Sequence, residues 1–159
     1  MVSTVGKMLS EVDCAYIAGL LDADGAIMAM IEKHHEKRFG YRVRVVVKIT
    51  QTDPTVLHWI QNLFSQGRVV KNKSTYDWIV RDQSDSAAIL SQLLPFLKVK
   101  KQQAYLAQKI IKLLQTRYSK NDFLNAAQLA DTVAGLNVRS RNRRRNFLSQ
   151  IQESISRND

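Results

Sequence analysis

Two carboxylates, Asp22 and Asp24, stand two residues apart just ahead of Gly25, at the end of a run of small and apolar residues. Acids in this arrangement offer hard oxygen ligands to a divalent cation. A cation held this way acts as a Lewis acid and activates bound water. The position of the acids argues the same way. Ser10-Glu-Val-Asp13 reads as a helix start, with Ser10 as N-cap and Asp13 reaching back as in a capping box. The helix is predicted to run through Tyr16 to about Leu21, with Gly25 marking its end. The C-terminal end of a helix is partly negative, so acids there cost a few tenths to about 1 kcal/mol. Something positive should compensate. Taken alone, Asp-x-Asp-Gly is a weak signal and reads first as a buried helix ending in a polar turn.

On the same helix, Ala15, Ala18, Gly19 and Asp22 fall at i, i+3, i+4, i+7 spacing and share one face. Small side chains allow a second backbone to approach closely. These four residues are therefore expected at a subunit interface, where two acidic helix ends would lie side by side.

The elements that must position the acids follow in order. Ala26 to Lys33 is apolar and β-compatible. Tyr41 to Gln51 alternates, with Val43, Val45, Val47 and Ile49 on one face and Arg42, Arg44 and Lys48 on the other. On the first strand Met28, Met30, Glu32 and His34 share the parity that joins the charged face. Thr52-Asp-Pro54 reads as a helix start, with Asp53 as N-cap and Pro54 at the first helical position. Leu57, Ile60, Leu63 and Phe64 supply its apolar stripe. Arg68 to Asn72 and Tyr76 to Arg81 read as a second hairpin. Ser84 is the expected cap of a third helix, stopped by Pro95. Three more helical patterns cover about Lys101 to Arg117, Asp122 to Leu136 and Arg144 to Arg157. No linker composition and no repeat appears, so one domain is expected over residues 1–159. Its core spans about 10–137, and a basic loop and terminal helix occupy about 138–159.

A formal charge of +10 points to a polyanionic partner such as nucleic acid or an acidic membrane surface. No apolar run approaches the roughly 20 residues that span a bilayer, so no membrane partner is expected. Met1 to Lys7 carries no secretory apolar core. The single Cys14 excludes an intrachain disulfide, favours a reducing, intracellular compartment and reads as a packing residue. His34, His35 and His58 lack zinc spacing. A strand with arginines on one face suits the DNA major groove, where Arg and Lys donate to guanine O6 and N7. The alternative is a solvated sheet face. Asn137 to Arg145 holds five arginines, suited to phosphate contacts or to a targeting address. Lys98, Lys100 and Lys101 gather at a helix start, where the dipole disfavours cations and a phosphate would help.

The run Ile17-Ala-Gly-Leu-Leu-Asp-Ala-Asp-Gly25 resembles the LAGLIDADG motif of homing endonucleases, with conservative apolar swaps at Ile17 and Leu21. Ile49-Thr-Gln51, Leu94-Pro-Phe-Leu-Lys-Val-Lys100, Gln103-Ala104 and Leu136-Asn137 resemble further segments of single-motif members. The resemblance implies an α+β fold: an αββαββα core with an antiparallel, saddle-shaped DNA-binding sheet, plus C-terminal helices. It implies a homodimer, because one motif is present per chain. It implies Mg²⁺ held by Asp24 and the Ala23 backbone carbonyl, with Gln51 and Lys100 lining the catalytic pocket. Mn²⁺ or Ca²⁺ would occupy the same sites, and Ca²⁺ is expected not to support cleavage. Double-stranded DNA would be contacted by Met28, Met30, Glu32, His34, Arg42, Arg44 and Lys48. The second hairpin would add Arg68, Val70, Lys71, Asn72, Lys73 and Arg81, and the basic loop Arg139, Arg141 and Arg143. Some relatives carry an arginine where this chain has Thr55, which leaves the pocket's second cation unassigned. An organelle, chloroplast or mitochondrion, is implied if the chain is intron-encoded. Two alternatives stand beside the nuclease. One is a maturase that binds intron RNA. The other is a DNA-binding regulator with a lapsed active site.

Overall fold

A computed structural model describes residues 8–137 and 148–157. The helices are α1 (Glu11–Asp24), α2 (Thr55–Phe64), α3 (Gln83–Leu93), α4 (Lys101–Leu113), α5 (Lys120–Leu136) and α6 (Leu148–Arg157). The strands are β1 (Gly25–Lys33), β2 (Tyr41–Gln51), β3 (Arg68–Asn72) and β4 (Thr75–Val80). A 3-10 turn, Leu94–Phe96, follows α3. The strands form one four-stranded sheet in the order β1-β2-β4-β3. Up to α3 the expected αββαββα order is the one observed.

The chain divides into two compact units that interleave in sequence: Met1–Ala26 with Val46–Lys101, and Ile27–Val45 with Gln102–Asp159. The crossings fall inside β1, β2 and the first turn of α4, so no loop composition could mark them.

The first unit is built around α1. Its N-cap is Ser10, whose hydroxyl accepts from the Asp13 N–H at 3.1 Å. Three further residues join beyond the expected end at Leu21, and β1 begins at once at Gly25. Gly25 is required by space. A Cβ there would lie 2.6 Å from Leu21 Cδ1 and 2.7 Å from the Lys48 carbonyl. Ile17, Ala18 and Leu21 are fully buried, as are Leu57, Ile60, Ile89, Leu90 and Leu93 of α2 and α3. The antiparallel register of β2 with β4 sets Ile49 opposite Trp78, and that of β3 with β4 sets Val69 opposite Trp78. This row faces inward. The Trp78 indole N–H donates to the Gln66 carbonyl at 3.0 Å. A Cβ on Gly67 (φ +79°) would meet that indole nitrogen at 2.6 Å, so both dihedral and space select glycine there.

Two helix starts differ from expectation by small shifts. α2 begins one residue later, at Thr55, with Pro54 as N-cap and Asp53 accepting from the Thr55 N–H at 2.8 Å. α3 is capped by Asp82 rather than Ser84, because the Asp82 carboxylate reaches the Asp85 N–H at 2.9 Å. A carboxylate two residues upstream captures the free N–H groups before the serine is reached.

In the second unit, α5 starts at Lys120, two residues earlier than predicted. Ser119 and Asp122 form a reciprocal capping box there. Phe123, Ala126, Ala127, Ala130 and Val133 bury one side of α5, while α4 buries Ala104, Ala107, Ile110 and Ile111. Phe39, Tyr118 and Phe123 cluster with ring centroids 5.2–6.3 Å apart. Asn137 closes α5 and donates its amide to the Ile27 carbonyl at 2.6 Å.

Candidate active site and nucleic-acid interface

The end of α1 separates the two acids by task. Asp22 turns toward its own chain. Its carboxylate accepts from the backbone N–H groups of Lys98 (2.7 Å), Val99 (3.2 Å) and Lys100 (2.9 Å). The Lys100 ammonium donates in return to the Asp22 carbonyl at 2.6 Å. The acid lies beside the N–H groups that lead into α4, and the cation lies on the carbonyl end of α1. Each charge thus meets backbone groups of opposite sign, which answers the mismatch of Asp22 and of Lys100 with their own helix ends.

Asp24 turns outward. It is exposed, as is Ala23 beside it. Its only hydrogen-bonding partner among the described residues is Gln51, whose Nε2 donates to Asp24 Oδ2 at 2.9 Å. Gln51 is the last residue of β2, so the strand's length sets where its amide stands. Asp24, Gln51 and Lys100, predicted together, all lie in the first unit. Lys100 is only 8% exposed and its ammonium is engaged with α1.

The donor set fits the cation implied above. An exposed carboxylate and the neighbouring backbone carbonyl are hard oxygen donors at the negative end of a helix. Among the described residues no three acids, histidines or cysteines gather into a metal cluster. One chain therefore supplies few ligands, leaving room for water and phosphate, which is how Mg²⁺ is usually bound.

A groove of about 710 Å³ opens next to Gln51, lined also by Val12, Asp13, Tyr16, Asp53, Thr55 and Trp59. Tyr16 and Trp59 meet edge to face with centroids 5.7 Å apart. The Thr55 hydroxyl and N–H both donate to Asp53, at 2.6 and 2.8 Å, and hold its carboxyl below the usual 3.8. Thr55 thus places no cation here. Cys14 is buried, and burial foremost, with Asp13 and Glu11 nearby, pushes its thiol up, so it is a packing residue.

The small-residue face of α1 divides. Ala18 is 0% exposed and packs into its own chain, and the Asp22 carboxylate is committed as described. Ala15 and Gly19 are exposed. With them, Val12 (78% exposed), Tyr16 (54%) and Ala23 form the outward stripe. Nothing lies within 4 Å of a Cβ built on Gly19. Of the four residues expected at an interface, Ala15 and Gly19 face outward, while Ala18 and Asp22 are engaged within the chain. The inward side is fixed by Ile17 and Leu21, and Ala18 lies between them.

The strand faces follow the expected parity. Ile27 and Ala29 are buried, while Met28, Met30, Glu32 and His34 are partly exposed. On β2, Val43, Val45, Val47 and Ile49 are buried and Arg42, Arg44 and Lys48 partly exposed. Glu32 bridges both arginines: Arg42 Nη2 donates to Oε2 at 2.7 Å and Arg44 Nη2 to Oε1 at 3.0 Å. Burial works to raise the Glu32 carboxyl, but hydrogen bonds and charge from the two arginines outweigh it and hold it below 4.5. On the other half of the sheet, Lys48, Ile79 and Arg68 form one cross-strand row, and Thr50, Asp77 and Val70 the next. Lys71 falls in the row of Gln51 and Tyr76, the parity that runs inward through Trp78, although its own side chain is exposed. It does not share the face of Arg68, Val70 and Asn72, because the two faces alternate. Lys73 occupies the turn with φ +55°, and Arg81 is exposed just past β4. Arg139, Arg141 and Arg143 lie outside the described residues.

Sequence reasoning missed Asp77, a carboxylate 5% exposed in the middle of this face. It accepts from the Thr50 hydroxyl at 2.5 Å and from Asn72 Nδ2 at 3.1 Å. The available signal was an aspartate inside the alternating Thr75–Val80 strand, where that residue type is depleted.

The family model described as LAGLIDADG endonuclease matches residues 17–114. The DNA endonuclease I-CreI of Chlamydomonas reinhardtii is 33% identical over 127 residues, covering 77% of this chain and 77% of that protein. The DNA endonuclease I-CvuI of Chlorella vulgaris is 35% identical over 122 residues, covering 75% and 76%. The solved structure of I-CvuI with the I-CreI target in the presence of Mg superposes with a TM-score of 0.85 at 31% identity, over 92% of this chain and 94% of that one. An archaeal intron-encoded homing endonuclease, I-Vdi141I, solved with DNA, shares the fold at a TM-score of 0.82 and 22% identity, over 92% and 96%.

Proposed function

The chain belongs to the LAGLIDADG endonuclease family, and from that premise we propose that it is a homodimeric homing endonuclease. It cleaves both strands of duplex DNA at a long pseudo-palindromic site, by Mg²⁺-dependent hydrolysis, and leaves short 3′ overhangs. The observation that carries the reading is the outward Asp24–Gln51 pair at the exposed end of the motif helix. Two copies of α1, meeting along Val12, Ala15, Gly19 and Ala23, bring two Asp24 carboxylates to adjacent scissile phosphates.

Asp24 and the Ala23 carbonyl would hold the divalent cation, which would supply Lewis-acid polarisation of the phosphate and activation of water. Solved structures of I-CvuI with DNA were obtained in the presence of Mg and of Ca, which supports a divalent cation here. Gln51 orients. With its Nε2 on Asp24, its carbonyl oxygen remains to accept a hydrogen bond from the attacking water. Lys100 places a positive charge near the end of α1, where negative charge grows on the phosphoryl oxygens in the transition state. Water oxygen bonds to phosphorus and gives up a proton to solvent, the bond to the sugar oxygen breaks, and that oxygen takes a proton from solvent and leaves as a hydroxyl. The polar sheet face enters the major groove, and a two-fold dimer reads two similar half-sites. We place the protein in an organelle, encoded within an intron. The name of a Podospora anserina relative, 31% identical over 122 residues, puts that protein in an ND4 intron. This chain spans 27% of that relative's length.

The test is selection from a randomised duplex library with Mg²⁺, Mn²⁺ or Ca²⁺. Recovery of one cleaved pseudo-palindrome with Mg²⁺ or Mn²⁺, and bound but uncut DNA with Ca²⁺, is the expected result. Specific binding with no cleavage under any cation would make the chain a regulator. Preference for intron RNA over every duplex would make it a maturase.

A further inference from the structure

Asp77 is out of place by charge. It sits buried in the sheet face of a chain of net charge +10, on the surface assigned above to a polyanion. Buried carboxylates cost free energy unless paired, and one facing phosphates also weakens association. It does not serve as an ion-pair partner. Glu32, by contrast, pairs with Arg42 and Arg44. Its two oxygens are instead divided between Thr50 Oγ1, at 2.5 Å, and Asn72 Nδ2, at 3.1 Å.

We infer that Asp77 is a positioning residue for base recognition. By fixing Thr50 and Asn72 as hydrogen-bond acceptors, it selects a base with a major-groove amino group, adenine or cytosine, at one position of each half-site. The inference rests on the proposed function, which puts this sheet in the groove.

The argument is one of donor and acceptor supply. Both Asp77 oxygens accept, so each neighbour turns a hydrogen toward it. Threonine has one hydroxyl proton, and Asp77 takes it, which leaves Thr50 with lone pairs. Asparagine must point its nitrogen at Asp77, which directs the Asn72 carbonyl oxygen away from the carboxylate. Asn72 is exposed and Thr50 partly so, so the acceptors stand at the surface. Adenine N6 and cytosine N4 are the amino donors in the major groove; guanine O6 and thymine O4 are acceptors and would face lone pairs. The next cross-strand row carries Lys48 and Arg68, which are donors only and suit guanine. The face thus presents an acceptor patch beside a donor row, so adjacent base positions are read with opposite preference.

The experiment selects bound duplexes from a randomised library in Ca²⁺ with wild type, Asp77→Asn, Asn72→Ala and Arg68→Ala, recording melting temperatures alongside. Wild type is expected to enrich adenine or cytosine at one position per half-site, and the enrichment tells which. Asp77→Asn and Asn72→Ala should each cut that preference about tenfold, at that position alone. Arg68→Ala should act at the neighbouring position. Should Asp77→Asn fail to fold, exposed Asn72→Ala carries the same test. A wild-type preference for guanine or thymine there, or an Asp77→Asn or Asn72→Ala change spread evenly over all positions, overturns the assignment alone. A wild type that selects no duplex overturns the proposed function, and this assignment with it.

Discussion

The Asp22 carboxylate accepts the Lys100 N–H at 2.9 Å while the Lys100 ammonium donates to the Asp22 carbonyl at 2.6 Å. Two residues 78 positions apart therefore lock each other twice. The first motif acid anchors the lead-in to α4, and the second is left to face outward. Asp22→Asn keeps the shape but can turn an amide N–H toward three backbone donors. Loss of charge-assisted bonds of this kind costs about 1–3 kcal/mol. Denaturant unfolding should show a lower midpoint with unchanged slope. An unchanged midpoint would remove Asp22 from the fold's supports.

Asp24 is expected to behave oppositely. Its side chain is exposed and bonded only to Gln51 among the described residues, so Asp24→Asn should leave the unfolding midpoint nearly unmoved. Cleavage should fall by orders of magnitude while specific DNA binding largely survives. Near wild-type cutting under saturating Mg²⁺ would show that the acid does not hold the cation.

The glycines of the motif separate folding from assembly. A Cβ at Gly19 meets nothing in the chain, so Gly19→Leu should fold normally. At a close helix contact the same bulk overpacks by about 1–3 kcal/mol, so sedimentation should show a weakened or monomeric species. A wild type that stays monomeric at high concentration yet cuts both strands would contradict the paired-helix scheme.

Gly25→Ala should instead damage the monomer. The added carbon would collide with two backbone carbonyls, of Lys48 at 2.7 Å and of Leu21 at 2.8 Å. Its φ of −116° is open to any residue, so the penalty is steric, again about 1–3 kcal/mol. Thermal unfolding of the single variant checks it.

Glu32 links the arginine pair to pH. Its carboxyl is held below 4.5 in the folded chain, so it binds fewer protons there than when unfolded. Its contribution is full above the unfolded value and is lost as pH falls through the lowered folded value. Glu32→Gln should therefore flatten the acid side of the stability profile below about pH 4.5 and leave neutral pH little changed, since partly exposed pairs are weak. It should also tighten DNA binding, by removing a negative charge from this face and freeing Arg42 and Arg44, read as a rise in affinity.

Periodicity, caps and turn residues were enough to place the elements through α3 and the inward valines of β2, because each depends on neighbours within a few residues. Ser10 capped α1 as its spacing required, and Val43, Val45, Val47 and Ile49 turned inward as their types required, although Val46 between them is buried too. What the tertiary structure decided are relations between residues far apart in the chain. Asp22 could extend α1 past Leu21 only because residues 98–100 bring N–H groups to it. Ala18 turned inward because Ile17 and Leu21 fixed which side of α1 is buried, and the spacing of small residues alone could not tell that side from the next. Asp77 became a holder of Thr50 and Asn72 only when the β2–β4 and β3–β4 pairings brought three strands together. A side chain's type states what it can donate or accept, but its partners are chosen by the strands and helices that the fold places beside it.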